Sequence, residues 1–347
     1  MTKTKRIAII GAGVTAASSV RALQGYGAVI DVFEKSRGAG GRMATRRHEG
    51  GMTFDHGAQY FTAQSEAFKN AVGDWRALGL VADWNVESVP YRISGQKSDQ
   101  KSGQKSGQKS DQDRQQYVGT PHMNTPVKHE ISKANLQVER LVTGIKALGD
   151  TVELYANEIK LGTYDYVIST VPVDHVGAIL PADQQQLKKE IAAVTVAPCW
   201  ALMLAFDSPT SIETSQWRGD HDSIAWVAKN SSKPGRDHEG ESWTVHARPD
   251  WSSAHLERPA DDVAADLFAA LQDALDIKLP QPAHVTAHRW RYAQTKAALG
   301  RPFLTGLNNR LYIGGDWCLG ARVEYGFLSG YKIAKALIAA RDGDSAG

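Results

Sequence analysis

The stretch Ile7-Ala-Ile-Ile-Gly-Ala-Gly-Val-Thr-Ala16 constrains this chain more than any other. A short apolar run rich in β-branched residues stops at Gly11-Ala-Gly13, and an Ala-rich run then continues to about Leu23. That order predicts strand, tight turn and helix. Gly11 permits the turn, Gly13 lets the backbone approach a diphosphate, and Ala16 keeps the helix against the strand. The orphan amides of the helix N-terminus, at Ala12, Val14 and Thr15, then face an anion. A second apolar strand, Val29-Ile-Asp-Val-Phe33, ends in Glu34 about 20 residues further on, where a carboxylate can accept both hydroxyls of an adenosine ribose and disfavours a 2′-phosphate. Lys3, Lys5 and Arg6 before an apolar run resemble a secretory leader, but the two glycines interrupt the run too early for one.

The loop Lys35-Ser-Arg-Gly-Ala-Gly-Gly-Arg-Met43 follows, dense in glycine and carrying two arginines. Its backbone amides and Arg42 suit a phosphate. Phe54-Asp-His-Gly-Ala-Gln-Tyr-Phe61 turns at Gly57, and Tyr60 is an aromatic able to wall a flat ligand. Ser65 to Leu78 reads as an amphipathic helix with Ser65 as N-cap, Phe68 and Val72 inward and Gly79 as stop. From Gly95 the sequence becomes a tetrapeptide repeat of Gly/Asp-Gln-Lys-Ser without an apolar residue, which predicts a disordered surface insertion over 95–116. Leu136 to Leu154 reads as short strands paired through the Gly149-Asp150 turn. Tyr164 to Thr170 reads as a buried strand ended by Pro172, and Leu187 to Val194 as a helix.

Between about Val196 and Tyr292 the pattern changes to Trp-rich, short alternating runs. Trp226-Val-Ala-Lys229, Trp243-Thr-Val-His-Ala247 and Val285 to Tyr292 predict an antiparallel sheet. In the last strand, period two puts His288, Trp290 and Tyr292 on one face and Arg289 and Arg291 on the other. Pro259 opens a helix with Asp261 and Asp262 in its first turn and Val263, Leu267, Leu271 and Leu275 as its stripe. This is a second, mixed α+β unit inserted in the first. Afterwards Leu311-Tyr-Ile-Gly-Gly-Asp316 reads as a strand ending in Gly-Asp, followed by a helix from Val323 to Ala340.

Length and composition bound the partners. At 347 residues two domains are expected, and a net charge of +2 offers no reason to expect nucleic acid or membrane. Cys199 and Cys318 stand far apart with no CxxC spacing, as free thiols of a reducing compartment do. No apolar run approaches the roughly 20 residues of a bilayer span. The expectation is a cytoplasmic protein with small-molecule ligands and no evident protein partner.

The late strand-Gly-Asp-helix has no use in a nicotinamide-only dehydrogenase, whereas FAD needs it. Asp316 can accept a hydrogen bond from the ribityl chain, and the following helix N-terminus can face the pyrimidine oxygen, where charge builds on reduction. These residues resemble the flavin amine oxidase superfamily: Gly11-x-Gly13, Glu34, Gly40-Gly41-Arg42 and Gly315-Asp316. Four finer stretches resemble its bacterial renalase branch, namely Lys35-Ser-Arg-Gly38, Asp55-x-Gly-Ala-Gln-Tyr-Phe-Thr-Ala63, His288-Arg-Trp-x-Tyr-Ala293 and Gly315-Asp-Trp-Cys-Leu319 with Arg322-Val-Glu324. The chain departs from the family at Tyr325-Gly326, usually Gly-Ala, and at His122, often Gly.

The resemblance implies an α/β fold: a Rossmann-type, amine-oxidase-like FAD-binding domain over 1–60, 121–190 and 300–347, with an inserted α+β substrate domain over 61–94 and 191–299. It implies non-covalent FAD, held by Gly11, Ala12, Gly13, Val14, Thr15, Glu34, Lys35, Gly41, Arg42, Met43, Gly57, Ala58, Gln59, Val142, Thr170, Gly315, Asp316, Arg322, Val323 and Glu324. The implied activity is oxidation of 2- and 6-dihydro isomers of NAD(P)H, with oxygen as acceptor. Hydride transfer needs stacking rather than an acid or base, so no catalytic residue and no metal is assigned. Tyr60, His246, Trp290 and Tyr292 are the pocket candidates. A flavin-containing amine oxidase and a non-catalytic flavin protein stay open as alternatives. Tyr292-Ala-Gln-Thr-Lys296 has the short-chain dehydrogenase spacing, but in a strand context.

Overall fold

A computed structural model describes residues 4–49, 51–90, 114–219, 221–236 and 239–344. The first strand, Lys5–Ile10, alternates as its sequence requires: Ile7 and Ile9 enter one core, Ala8 and Ile10 another. It lies at the centre of a six-stranded sheet ordered Leu304–Gly306, Leu311–Ile313, Tyr166–Ser169, Lys5–Ile10, Ala28–Phe33, Asn135–Gln137. All neighbours are parallel except Leu304–Gly306 at the edge. The helices Val14–Ala22, Thr125–Ile131 and Val323–Asp344 cover one face. The other face is covered by an antiparallel meander, Gly144–Leu148, Thr151–Ala156 and Ile159–Tyr164. Its first turn is the expected one at Gly149, but Asn135–Gln137 pairs with Ala28–Phe33 in the main sheet rather than with that hairpin.

The second sheet is ordered His284–Ala297, Thr195–Phe206, Glu241–Ala247, Ile224–Lys229, Gln216–Arg218, Val89–Pro90. It is antiparallel but for the last pair. The helix Ala260–Leu275 packs Val263, Leu267 and Leu271 against Trp243, Val245 and Leu202 on its outer face. Its strand His284–Ala297 runs past Tyr292, where the alternating pattern stops, because a bulge between Ala197 and Cys199 lets the pairing continue in a shifted register.

The helix Glu66–Ala77 has the expected Ser65 N-cap position, and Gly79 has φ +71°. Its buried face, Phe68, Ala71, Val72 and Trp75, packs with Phe327 and Val127 in a core that also takes in Trp226 and Ala228 of the second sheet. Of the tract expected over 95–116, residues 95–113 lie outside the described residues. Gln116 is buried and its carbonyl accepts the Trp84 amide at 2.9 Å, extending the pairing of Tyr117–Gly119 with Val81–Asp83. Among the described residues no helix is long and apolar enough to cross a membrane.

Candidate functional site

The strands Lys5–Ile10, Ala28–Phe33, Tyr166–Ser169 and Leu311–Ile313 all end at one edge, and the site forms there. Gly11 turns with φ +95°, and its amide donates to the Phe33 carbonyl at 2.7 Å. A side chain at Gly11 would collide with Thr170, whose hydroxyl donates to Ile10 O at 2.9 Å. Gly13 precedes the first helix, and a Cβ there would meet nothing within 4 Å. A Cβ on Gly41, which has φ +53°, would meet the Gly13 Cα at 3.3 Å. The two glycines therefore face each other as bare backbone beside a helix N-terminus, a cradle suited to a diphosphate.

Glu34 is buried, and each carboxylate oxygen accepts one amide: Ala12 N at 2.9 Å and Ser36 N at 2.8 Å. Each oxygen keeps further acceptor capacity for a ribose hydroxyl. Arg42 donates through both terminal nitrogens to Asp316, one contact being 2.8 Å, and to the Ala293 carbonyl at 3.1 Å. The first and last parts of the chain are thus joined by the Arg42–Asp316 ion pair. The first and last helices also converge: Ser18 Oγ donates to Phe327 O at 2.7 Å, and Gly326 and Gly330 lie so close to Val14 and Thr15 that a Cβ would come within 2.7 and 2.0 Å of them. Both N-termini point to the same region.

Other expected cofactor residues are distributed unevenly. Gly57 lies against the Arg42 carbonyl, which accepts the Ala58 amide at 2.9 Å, and Met43 is buried. Val142 packs in the core with Ile10 and Phe33, while Lys35 is exposed. Gly315 donates its amide to Ser329 Oγ at 3.0 Å. Arg322 lies over the Tyr325 ring, and Val323 is half-buried at the helix start. The Glu324 carboxylate accepts Gln64 N, Ser65 N and Ser65 Oγ at 3.0, 2.6 and 2.7 Å, all through Oε1. Through that oxygen it ties the last helix to the N-terminus of Glu66–Ala77.

The register of the second sheet sets a row across five strands: His288, Ala201, His246, Trp226, Arg218. This row faces the segment His56 to Tyr60. Trp290 Nε1 donates to the His56 carbonyl at 2.9 Å, and His246 Nε2 lies 3.2 Å from the same oxygen. The Tyr60 ring lies 5.6 Å from Trp226, and Arg218 donates to its hydroxyl. Tyr60, His246 and Trp290 are therefore brought together. Tyr292 is not: its ring packs edge-on against His175, 5.1 Å away. Tyr292 and Lys296 share a strand, which rules out the one-turn helical spacing a short-chain dehydrogenase pair requires.

Burial, aided by His288 and Arg46, pushes His56 down to about 3, and burial pushes His246 down to about 4. Burial also lowers His288. The imidazoles are neutral at physiological pH. Beneath them lies a cluster that sequence reading missed. Asp55 Oδ2 accepts Lys233 Nζ at 3.1 Å and Arg236 Nη2 at 2.6 Å, all three side chains being fully enclosed. Lys233 also donates to Gln59 Oε1 at 3.1 Å. Burial works to raise Asp55, but Lys233 and Arg236, with the Thr45 hydroxyl, hold it well below the usual carboxylate range. Burial, against the pull of Asp55, brings Lys233 down to about 8. Cys318 is buried, and burial pushes its thiol up to about 12, so it is a protonated, unreactive group.

A bare-glycine cradle at a helix N-terminus, a buried carboxylate after the second strand and an aromatic face of the second sheet packed on His56 to Tyr60 are arranged as in a flavin-dependent oxidoreductase. The chain belongs to the flavin containing amine oxidoreductase family, whose model matches residues 110–338, and FAD is its cofactor. An NAD(P)-binding Rossmann-like domain model matches residues 9–75. Within the superfamily the chain is renalase-like. It is 23% identical to renalase of Mus musculus over 330 residues, which is 90% of this chain and 92% of that protein. Its fold is shared with cyclohexylamine oxidase from Brevibacterium oxydans, at a TM-score of 0.73 and 14% identity over 98% of this chain and 100% of that one. A redesigned putrescine oxidase gives a TM-score of 0.72 at 14% identity, covering 97% of this chain and 100% of that one.

Proposed function

We propose that this flavin-dependent oxidase acts on the 2- and 6-dihydro isomers of NAD(P)H, using oxygen and one proton and releasing NAD(P)+ and hydrogen peroxide. FAD, when bound, supplies the two-electron acceptor that takes hydride at N5 and passes the electrons to oxygen. Glu34 holds the adenosine ribose, the glycine cradle and Arg42 the diphosphate, and Asp316 the ribityl chain. The buried thiol of Cys318 supports non-covalent attachment. Tyr60, Trp226 and Trp290 offer flat faces to a dihydropyridine ring, and the second sheet packs on the His56 to Tyr60 segment through Trp290 and His246.

The observation that carries this reading is the charge of the pocket. Its imidazoles carry no charge to offset an ammonium, a cation, Arg218, lies beside Tyr60 and Trp226, and its buried carboxylate, Asp55, is already matched by two cations. A protonated amine would find no unmatched carboxylate there as a counter-charge. A hydride donor needs only to be held flat and close, at about 3–3.5 Å. The similarity to mouse renalase supports the same choice. The family model favours the second reading, an amine oxidase in the narrow sense.

Anaerobic mixing separates the two. The 2- or 6-dihydro dinucleotides should bleach the flavin rapidly, and ordinary NADH and primary amines slowly. In the isomers the donor carbon lies beside the ring nitrogen and in NADH opposite it, so one stacked pose cannot serve both. Readmitted oxygen should restore the yellow colour and yield peroxide. Faster bleaching by an amine would replace this reading with the second.

A further inference from the structure

The sheet face turned toward Tyr60 carries more hydrogen-bonding capacity than the chain uses. Register places Gln216 opposite Ala228 and Arg218 opposite Trp226, and the next strand sets Thr244 opposite Ala228. Both amide atoms of Gln216, the Thr244 hydroxyl, the Trp226 indole N–H and Arg218 Nε are buried with no hydrogen-bond partner among the described residues. Gln216 and Thr244 are 0% exposed and Trp226 is 8%. Interiors tolerate few such atoms, because each forfeits its hydration without recompense. Here they gather on three adjacent strands, and two of the residues, Trp226 and Arg218, lie beside Tyr60.

We propose that this patch recognises the carboxamide of a nicotinamide ring, with Gln216 as its reader and Arg218 and Trp226 as supporting donors. The inference deepens the dihydronicotinamide reading and rests on it. A primary carboxamide presents one acceptor and one donor in a plane. Gln216 presents the complementary pair, also in a plane, so two hydrogen bonds form and neither amide is left unsatisfied. Trp226 and Arg218 add N–H groups that can serve the second lone pair of the carbonyl. A ketone of the same shape satisfies the donor of Gln216 and strands its acceptor. Sites built around a buried polar pair reject analogues lacking the partner far more strongly than apolar pockets discriminate by size.

The experiment uses the FAD-loaded protein, with nicotinamide and 3-acetylpyridine as probes, their binding read by perturbation of the flavin absorption band. Wild type should favour nicotinamide by about tenfold or more. Gln216→Met should abolish that preference while raising the melting temperature, since a methionine of similar volume removes two unsatisfied polar atoms. A Gln216 with a purely structural role would do the opposite, losing stability on substitution and leaving the preference intact; either of those results overturns the inference. Thr244→Val, close to isosteric, tests the same patch through stability and preference should Gln216→Met fail to fold. The parent reading is tested separately. If neither dihydro isomer bleaches the wild-type flavin, the function fails; if they do and Gln216→Met keeps the preference, only this inference fails.

Discussion

The carboxylate of Glu34 accepts the Ala12 and Ser36 amides and has acceptor capacity left on both oxygens. Sequence spacing made it a ribose ligand, and the structure adds that it braces the glycine turn. Glu34→Ala should therefore lower flavin content after dialysis and also cost about 1–3 kcal/mol of stability, because it orphans a buried amide. Full flavin retention would sink the assignment, and an unchanged unfolding curve would sink the bracing role. His56 yields a pH prediction. Its folded value of about 3 lies below the 6.5 of the unfolded chain, so between those values the unfolded chain binds more protons and stability falls as the solution is acidified. The share lost by pH 5 is about 2 kcal/mol. His56→Phe keeps a ring against His288 and Trp290 and should make the fall of melting temperature between pH 6.5 and 5 shallower, the rest of the slope coming from His246 and His288. An unaltered slope would mean that His56 is not neutral when folded.

At the scale of elements, the first and last helices position the cofactor site by approaching closely, and two glycines separate that role from direct contact. Gly330→Ala would ordinarily gain close to 1 kcal/mol in a helix interior. Here the added Cβ would sit 2.0 Å from the Thr15 carbonyl, so the helices must part; both melting temperature and flavin content should fall. Gly13→Ala adds a Cβ with no neighbour within 4 Å and should cost the cofactor-free protein less than about 1 kcal/mol, while flavin content falls steeply. Flavin-to-protein ratios and melting curves of the two variants check this, and a flavin-replete Gly13→Ala would remove the cradle from the argument. Local signals made these elements readable beforehand: the turn glycines, Ser65 before Glu66–Ala77, and Pro259 before Ala260–Leu275. Partner choice was not readable. Asn135–Gln137 has nothing in three residues to say that it joins a parallel sheet, and the extension of His284–Ala297 depends on a bulge in its neighbour. Nor was it readable that Phe68 and Trp75 of the helix Glu66–Ala77 find Phe327, far along the chain.

Across the whole molecule, the two halves are locked by charges that no sequence window contains. Asp55 ends the hairpin Thr45–Arg47 and Thr53–Asp55, while Lys233 and Arg236 follow a strand of the second sheet, and the contact spans 178 residues to Lys233. In sequence, Lys229-Asn-Ser-Ser-Lys-Pro-Gly-Arg236 has the composition of a solvated loop, which is why Glu34, Arg42 and Asp316 could be anticipated and this cluster could not. Arg236 also donates to the Gly119 carbonyl at 2.8 Å, and the Met123 amide lies 3.4 Å from Asp55 Oδ1, so four segments meet at one carboxylate. The arrangement predicts unequal costs. Asp55→Asn leaves two enclosed cations facing a neutral amide, and breaking a buried pair in that way costs about 3–5 kcal/mol. Lys233→Met leaves Asp55 still bonded to Arg236 and Thr45 and replaces a desolvated ammonium with an apolar chain beside Trp84, so its cost should be under about 2 kcal/mol. Urea unfolding of the two FAD-loaded variants, followed by tryptophan fluorescence for the second sheet and flavin release for the first, measures both. Equal losses would mean that the lysine, rather than the carboxylate, is the centre of the lock. If Asp55→Asn releases flavin at the same urea concentration as wild type while the second sheet unfolds early, the cluster stabilises the second domain without joining it to the first.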